Sequence, residues 1–163
     1  MIRRCLDSDT LNMCVIINDA ALAYKGVIPS DRWHEPYMPL EELREEMSRG
    51  VEFWGYAEGR QLIGVMGMQR VKDVTLIRHA YVKTGMRKRG IGGQLLAQLL
   101  GQADGKILVG TWKAAGWAVR FYQKHGFQLV RDEEKDRLLA TYWQIPARQI
   151  ETSVVLVYQW APP

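Results

Sequence analysis

The chain is short of the features that usually decide a protein's class at a glance. It has only two cysteines, Cys5 and Cys14, in no metal-ligand spacing. Neither a disulfide framework nor a metal site is written into it, and both thiols read as buried fillers. No apolar run approaches the length of a bilayer crossing, and the opening MIRRCLDSDT lacks the apolar core of a signal peptide. A cytoplasmic setting, without a membrane partner, is therefore expected. There is no internal repeat, low-complexity segment or linker to divide the chain. Charge of neither sign dominates: 22 Lys and Arg against 18 Asp and Glu leave a net +4. That excess is too weak to argue for nucleic acid, but it suits an anionic small molecule.

What is present is the composition of a folded protein, with 47% hydrophobic and 25% charged residues over 163 positions, so one domain spanning 1–163 is expected. Ile2 to Arg4 reads as a short strand. Leu11, Cys14, Val15, Ile17, Ala21 and Tyr24 then make a helical stripe that stops at Gly26. Pro39 opens a second helix with Leu40, Leu43 and Met47 on one face. VEFWGYAEGRQLIGVMGMQRV reads as two strands joined at Glu58-Gly59-Arg60, and DVTLIRHAYV as a third. Helix, strand, helix and strand follow from Gly90 to Arg131. The run RDEEKDR starts a short helix that Pro146 ends, and TSVVLVY closes as a strand. Together these elements predict an α/β (α+β) fold, a mixed sheet with helices on it.

The stretch Met86-Arg87-Lys88-Arg89-Gly90-Ile91-Gly92-Gly93 brings cations and bare backbone to a helix start. Unpaired N–H groups and the positive end of the peptide dipoles meet there, a combination suited to phosphate oxygens. Two familiar phosphate loops fail on inspection. Ile91 stands where a P-loop needs lysine, and Leu95 stands where the dinucleotide fingerprint needs its third glycine. Taken alone, the glycine cluster reads equally as a tight turn with a solvated basic loop.

The surroundings shift that balance. Arg87-Lys88-Arg89-Gly90-Ile91-Gly92 fits the acyl-CoA motif Arg/Gln-x-x-Gly-x-Gly/Ala of the GCN5-related N-acetyltransferase (GNAT) superfamily. Ala118-Val119-Arg120-Phe121-Tyr122-Gln123-Lys124-His125-Gly126-Phe127 is similar to that family's second signature. The resemblance is firm over Val51 to Val130. It implies a GNAT-like fold, with a central, mostly antiparallel sheet, splayed parallel strands and flanking helices. It also implies acetyl-CoA as cosubstrate without a metal, and direct transfer of acetyl to a primary amine in a ternary complex. Within it, Tyr81, Val82, Arg87, Lys88, Arg89, Gly90, Ile91, Gly92 and Gly93 would contact the cosubstrate. The Val82 N–H would polarise the thioester, and Tyr122 would serve the departing thiolate. One departure stands out: Ala115 occupies the position where the family often has an asparagine touching the pantetheine arm.

The attacking amine must be neutral, yet Thr75 to Tyr81 carries no acid. His79 is the titratable candidate on that strand, and a structural histidine is its alternative reading. Glu52 on the first hairpin strand is the other candidate, with an exposed surface glutamate as its alternative. The acceptor, a small-molecule or peptide amine, points to the loop Ser30 to Met38, with its aromatic walls and an acid to pair an amine, and to Trp143 and Arg148. Each of these also reads as core cover or surface pairing. A non-catalytic acyl-CoA sensor is the rival reading. A nucleic-acid partner is not expected, because the basic cluster has no aromatic platform beside it. The late strand offers an edge for a possible homodimer.

Overall fold

The computed structural model describes residues 1–159. Seven strands form one sheet in the order β1-β2-β3-β4-β5-β7-β6. β1 (Ile2–Arg4), β2 (Glu52–Glu58), β3 (Gln61–Val71) and β4 (Val74–Val82) run antiparallel. The β2–β3 turn is the two residues Gly59-Arg60, and Gly59 supplies the positive φ of +60° that this tight reversal needs. β5 (Lys106–Trp112) lies parallel to β4, while β7 (Ser153–Tyr158) pairs antiparallel with both β5 and β6 (Phe127–Leu129). The sheet is thus mixed and mostly antiparallel, as the sequence predicts.

Periodicity decides which residues meet. Along β2 burial alternates, so Phe53 and Ala57 face inward while Glu52 and Trp54 are only partly covered. α1 (Thr10–Ala21) lays Met13, Ile16 and Ile17 over Phe53 and Val65, and α2 (Leu40–Ser48) adds Leu43 to the same layer. α3 (Ile91–Leu100) covers the opposite face, where Leu95, Leu96 and Leu99 pack on Ile63, Met66 and Ile77. α4 (Gly116–Lys124) joins it through Tyr122. α5 (Asp132–Tyr142) returns to the first face and sets Leu138 and Leu139 against Leu76, Leu108 and Val155.

Three details differ from the sequence reading. The stretch after Pro146 forms a short helix, α6 (Ala147–Glu151), anchored where Lys135 Nζ donates to the Ile150 carbonyl at 2.9 Å. The first helix stops at Ala21, and a 3-10 turn, Leu22–Tyr24, carries the chain to Gly26. The late strand β7 is not an edge, because β5 and β6 occupy both its sides. At that end of the sheet the edge is β6, which is three residues long and offers little ladder to a second copy.

Candidate active site

The feature that positions the site is a disagreement between strands. β4 and β5 are paired only from Val74–Lys106 to Ile77–Val109. Beyond that, β4 follows β3 and β5 follows β7, so the two diverge and open a gap through the sheet. The divergence coincides with a β-bulge, where His79 and Ala80 together oppose Met66. His79 carries the bulge in the left-handed region at φ +54°, which histidine tolerates better than most side chains. Ladder bonds alternate sides along a strand. The Lys83 N–H donates to Ile63 O, and Tyr81 stands opposite Val65. By that alternation the Val82 N–H is directed away from β3, toward the gap.

A cavity of about 820 Å³ runs through this opening. At its α3 end, Arg87 and Lys88 line it together with Gly90, Ile91, Gly92 and Gly93. Gly90 is the N-cap of α3 at φ +76°, a conformation that costs glycine nothing, and it carries no side chain to cap the helix. The first helical bond is Gln94 N–H to Gly90 O, which leaves the N–H groups of Ile91, Gly92 and Gly93 ahead of it. Arg87 is tied to α1, donating to Ala20 O at 3.2 Å. Arg89 points elsewhere: it pairs with Glu58 and does not line the cavity.

Tyr122 lines the cavity from α4 with only 5% of its surface exposed. Its ring meets Phe121 edge-on at 5.1 Å and Phe127 at 5.4 Å. Burial, reinforced by Tyr24, pushes its phenol well above the ordinary value, so the hydroxyl keeps its proton. Ala115 is fully buried beside Ile28 and Trp112, does not line the cavity, and its methyl group offers no hydrogen bond.

On the other face, the bulge turns both Arg78 and His79 toward α2. There they meet Glu46, which is 8% exposed. Arg78 donates to Glu46 Oε1 and to Gln69 Oε1, both at 2.9 Å. His79 Nε2 lies 2.6 Å from Glu46 Oε2, an ion-pair distance but off the line of a well-formed hydrogen bond. Burial pushes the Glu46 carboxyl up, yet the contact with His79 and the charges of His79, Arg78 and Arg49 outweigh it. The carboxyl therefore sits below its usual range. The His79 ring is held between Phe53 at 6.0 Å and Tyr81 at 6.4 Å, and it lines the cavity.

The structure therefore brings His79, Tyr81, Val82, Tyr122, Arg87, Lys88 and the segment Gly90 to Gly93 to one cavity. Glu52 is not brought there. It sits at the start of β2, on the surface, and pairs with Arg4 at 2.8 Å. The acids of the Ser30 to Met38 loop do not face the cavity either, since Asp31 is engaged by Arg148 at 3.0 Å and Glu35 by Lys25 at 3.5 Å. Arg148 is thus used by the protein itself. Trp143 does line the cavity, its ring 3.3 Å from where a Cβ on Gly110 would sit. Glu46 escaped the sequence reading. Its one signal was a carboxylate a turn beyond Leu43 on the buried stripe of α2.

Compared with known proteins, residues 18–141 match the family model described as an acetyltransferase (GNAT) domain. No curated protein sequence matches the chain. Among solved structures, it resembles the PaiA N-acetyltransferase of Thermoplasma acidophilum in complex with coenzyme A, at 16% identity, TM-score 0.73 and 98% coverage of each chain. A GNAT-family acetyltransferase of Staphylococcus aureus follows at 18% identity, TM-score 0.70 and 97% of each chain. The ribosomal-protein-alanine N-acetyltransferase of Brucella melitensis gives 17% identity and TM-score 0.67 over 96% of this chain and 97% of that one. At such identities the likeness is one of fold.

Proposed function

The chain belongs to the GNAT acetyltransferase family, whose members depend on acetyl-CoA, and from that premise we propose that it moves an acetyl group from acetyl-CoA to a primary amine, with residues 1–163 acting as one catalytic domain. The observation that carries the reading is the cavity passing between β4 and β5. An uncapped helix start and basic loop lie at one end, a paired histidine lies on the other face, and Tyr122 stands between.

The residues present fit such a cosubstrate. The N–H groups of Ile91, Gly92 and Gly93 offer donors to phosphate oxygens, and Arg87 and Lys88 add positive charge. Bound acetyl-CoA supplies a thioester whose carbonyl carbon accepts the amine nitrogen as the carbon–sulfur bond breaks. The Val82 N–H donates toward the carbonyl oxygen, where negative charge develops. His79 takes the proton the amine must lose. Its Nε2 faces Glu46 at ion-pair distance, which leaves Nδ1 as the proposed acceptor, directly or through a water. Glu46 sits against the ring and supports the charge the ring gains. Tyr122 donates a hydrogen bond to the departing thiolate. Its raised pKa lies above that of a thiol, so holding the thiolate is easier than protonating it fully. Glu52 and Arg89 have no part in this scheme.

The test is amine-dependent release of CoA, followed together with mass-spectrometric detection of the N-acetylated product. Release in step with product supports transfer. Tight acetyl-CoA binding with no release across a broad amine panel would instead favour a sensor.

A further inference from the structure

The acceptor side of the cavity is built almost wholly from flat rings. Tyr24 stacks on Trp117 at 5.9 Å and meets Tyr37 at 5.4 Å and Tyr81 edge-on at 6.3 Å. Trp112 fixes that group by donating its indole N–H to the Tyr37 hydroxyl at 2.8 Å. Trp143 lies across the gap, its ring against the bare backbone of Gly110 on β5. All these rings line one cavity. Burial pushes the phenols of Tyr24, Tyr37 and Tyr81 above the ordinary value, so this wall stays uncharged.

Its charges are also accounted for. No carboxylate lines the cavity among the described residues. Beside His79 the guanidinium is Arg78, which Glu46 and Gln69 already hold, while Arg87, whose charge reaches Tyr24, donates to Ala20 O at the α3 end. The acids that a cationic substrate might have used, Asp31 and Glu35, are paired on the surface. A second ammonium on the acceptor would lose its water and find no counter-charge, and a free carboxylate beside His79 would find the adjacent Arg78 already held by Glu46 and Gln69. A flat apolar body, by contrast, gains stacking and buried area from every wall.

From this we infer that the acceptor is a primary amine on an aromatic carrier, with neither a second positive charge nor a carboxylate. The inference rests on the acetyltransferase reading and narrows it to a substrate class. The recognition elements are the rings of Tyr24, Tyr37 and Trp117 on one wall and Trp143 on the other, with the amine directed at His79.

The experiment compares kcat/KM for 2-phenylethylamine and tryptamine with that for spermidine, phenylalanine and a lysine-containing peptide at saturating acetyl-CoA. Wild type, Trp143→Leu and Trp143→Phe are used, and acetyl-CoA affinity is measured beside each. The arylalkylamines are expected to lead by about tenfold or more. Trp143→Leu should erase about that factor, with Trp143→Phe recovering part of it and acetyl-CoA affinity unchanged in both. A lead for spermidine, phenylalanine or the peptide would overturn the inference while leaving acetyl transfer intact, as would a Trp143→Leu variant with unaltered preference. Silence toward every amine by protein that binds acetyl-CoA would overturn acetyl transfer itself, and the inference with it.

Discussion

At the scale of single residues, the site separates groups that act from groups that merely sit near a motif. Tyr122 is buried, ringed by Phe121 and Phe127, and held protonated. Tyr122→Phe removes one hydroxyl and little packing. It is expected to lower kcat by about 10²-fold with acetyl-CoA affinity unchanged, which single-turnover kinetics beside equilibrium binding would check. Glu52 provides the contrast. Its exposed pair with Arg4 contributes about 1 kcal/mol at most, so Glu52→Gln should leave turnover unchanged and stability nearly so.

At the scale of elements, the bulge in β4 matters most. An extra residue at His79-Ala80 turns Arg78 and His79 to the same face and places both on Glu46 of α2. Asparagine tolerates left-handed φ but is not a base, so His79→Asn keeps the bulge and removes the proposed proton acceptor. Turnover at pH 7 should fall by about 10²-fold, while the folded variant still binds acetyl-CoA. Most elements were legible in the sequence because their cause is local. The alternation of Phe53, Gly55 and Ala57, the turn at Gly59 and the apolar spacing of Ile91, Leu95 and Leu99 each act within a few residues. The bulge left no trace in DVTLIRHAYV, since it reflects a mismatch with Met66 on another strand. The Glu46–His79 contact was equally hidden, because it joins a helix and a strand that meet only once the sheet has formed. The short helix α6 is held by Lys135 and, through its own Arg148, by Asp31, two residues outside its sequence.

At the scale of the whole molecule, charge and topology have separate consequences. Asp9, chelated by Arg3 at 2.8 and 2.9 Å, and Glu46, paired with Arg78 and His79, both sit below the usual carboxylate range. The unfolded chain takes up protons near pH 4 while the folded protein still resists them. Both groups therefore stabilise fully above that range, and their contribution is lost as pH falls through their lowered values. Denaturant midpoints should decline on acidification below about pH 4.5, and Glu46→Gln should shallow that decline. Topology sets the kinetics. The basic helix start and the aromatic rings line one cavity together, so both substrates can be present together. Neither Cys5 nor Cys14 lines the cavity to carry the acetyl group. Initial-rate plots should intersect, and no acetylated enzyme should appear on rapid quench.

The central claim is that the helix start after β4 holds the cosubstrate. It is tested most directly by calorimetric titration of acetyl-CoA into wild type and Gly92→Asp. The variant sets a carboxylate among the free N–H groups of α3, where a Cβ meets only the Phe121 ring edge at 3.4 Å. Binding by wild type, weakened at least about tenfold in a variant with unchanged circular dichroism, is the expected result. Equal affinity in the two folded proteins would contradict it.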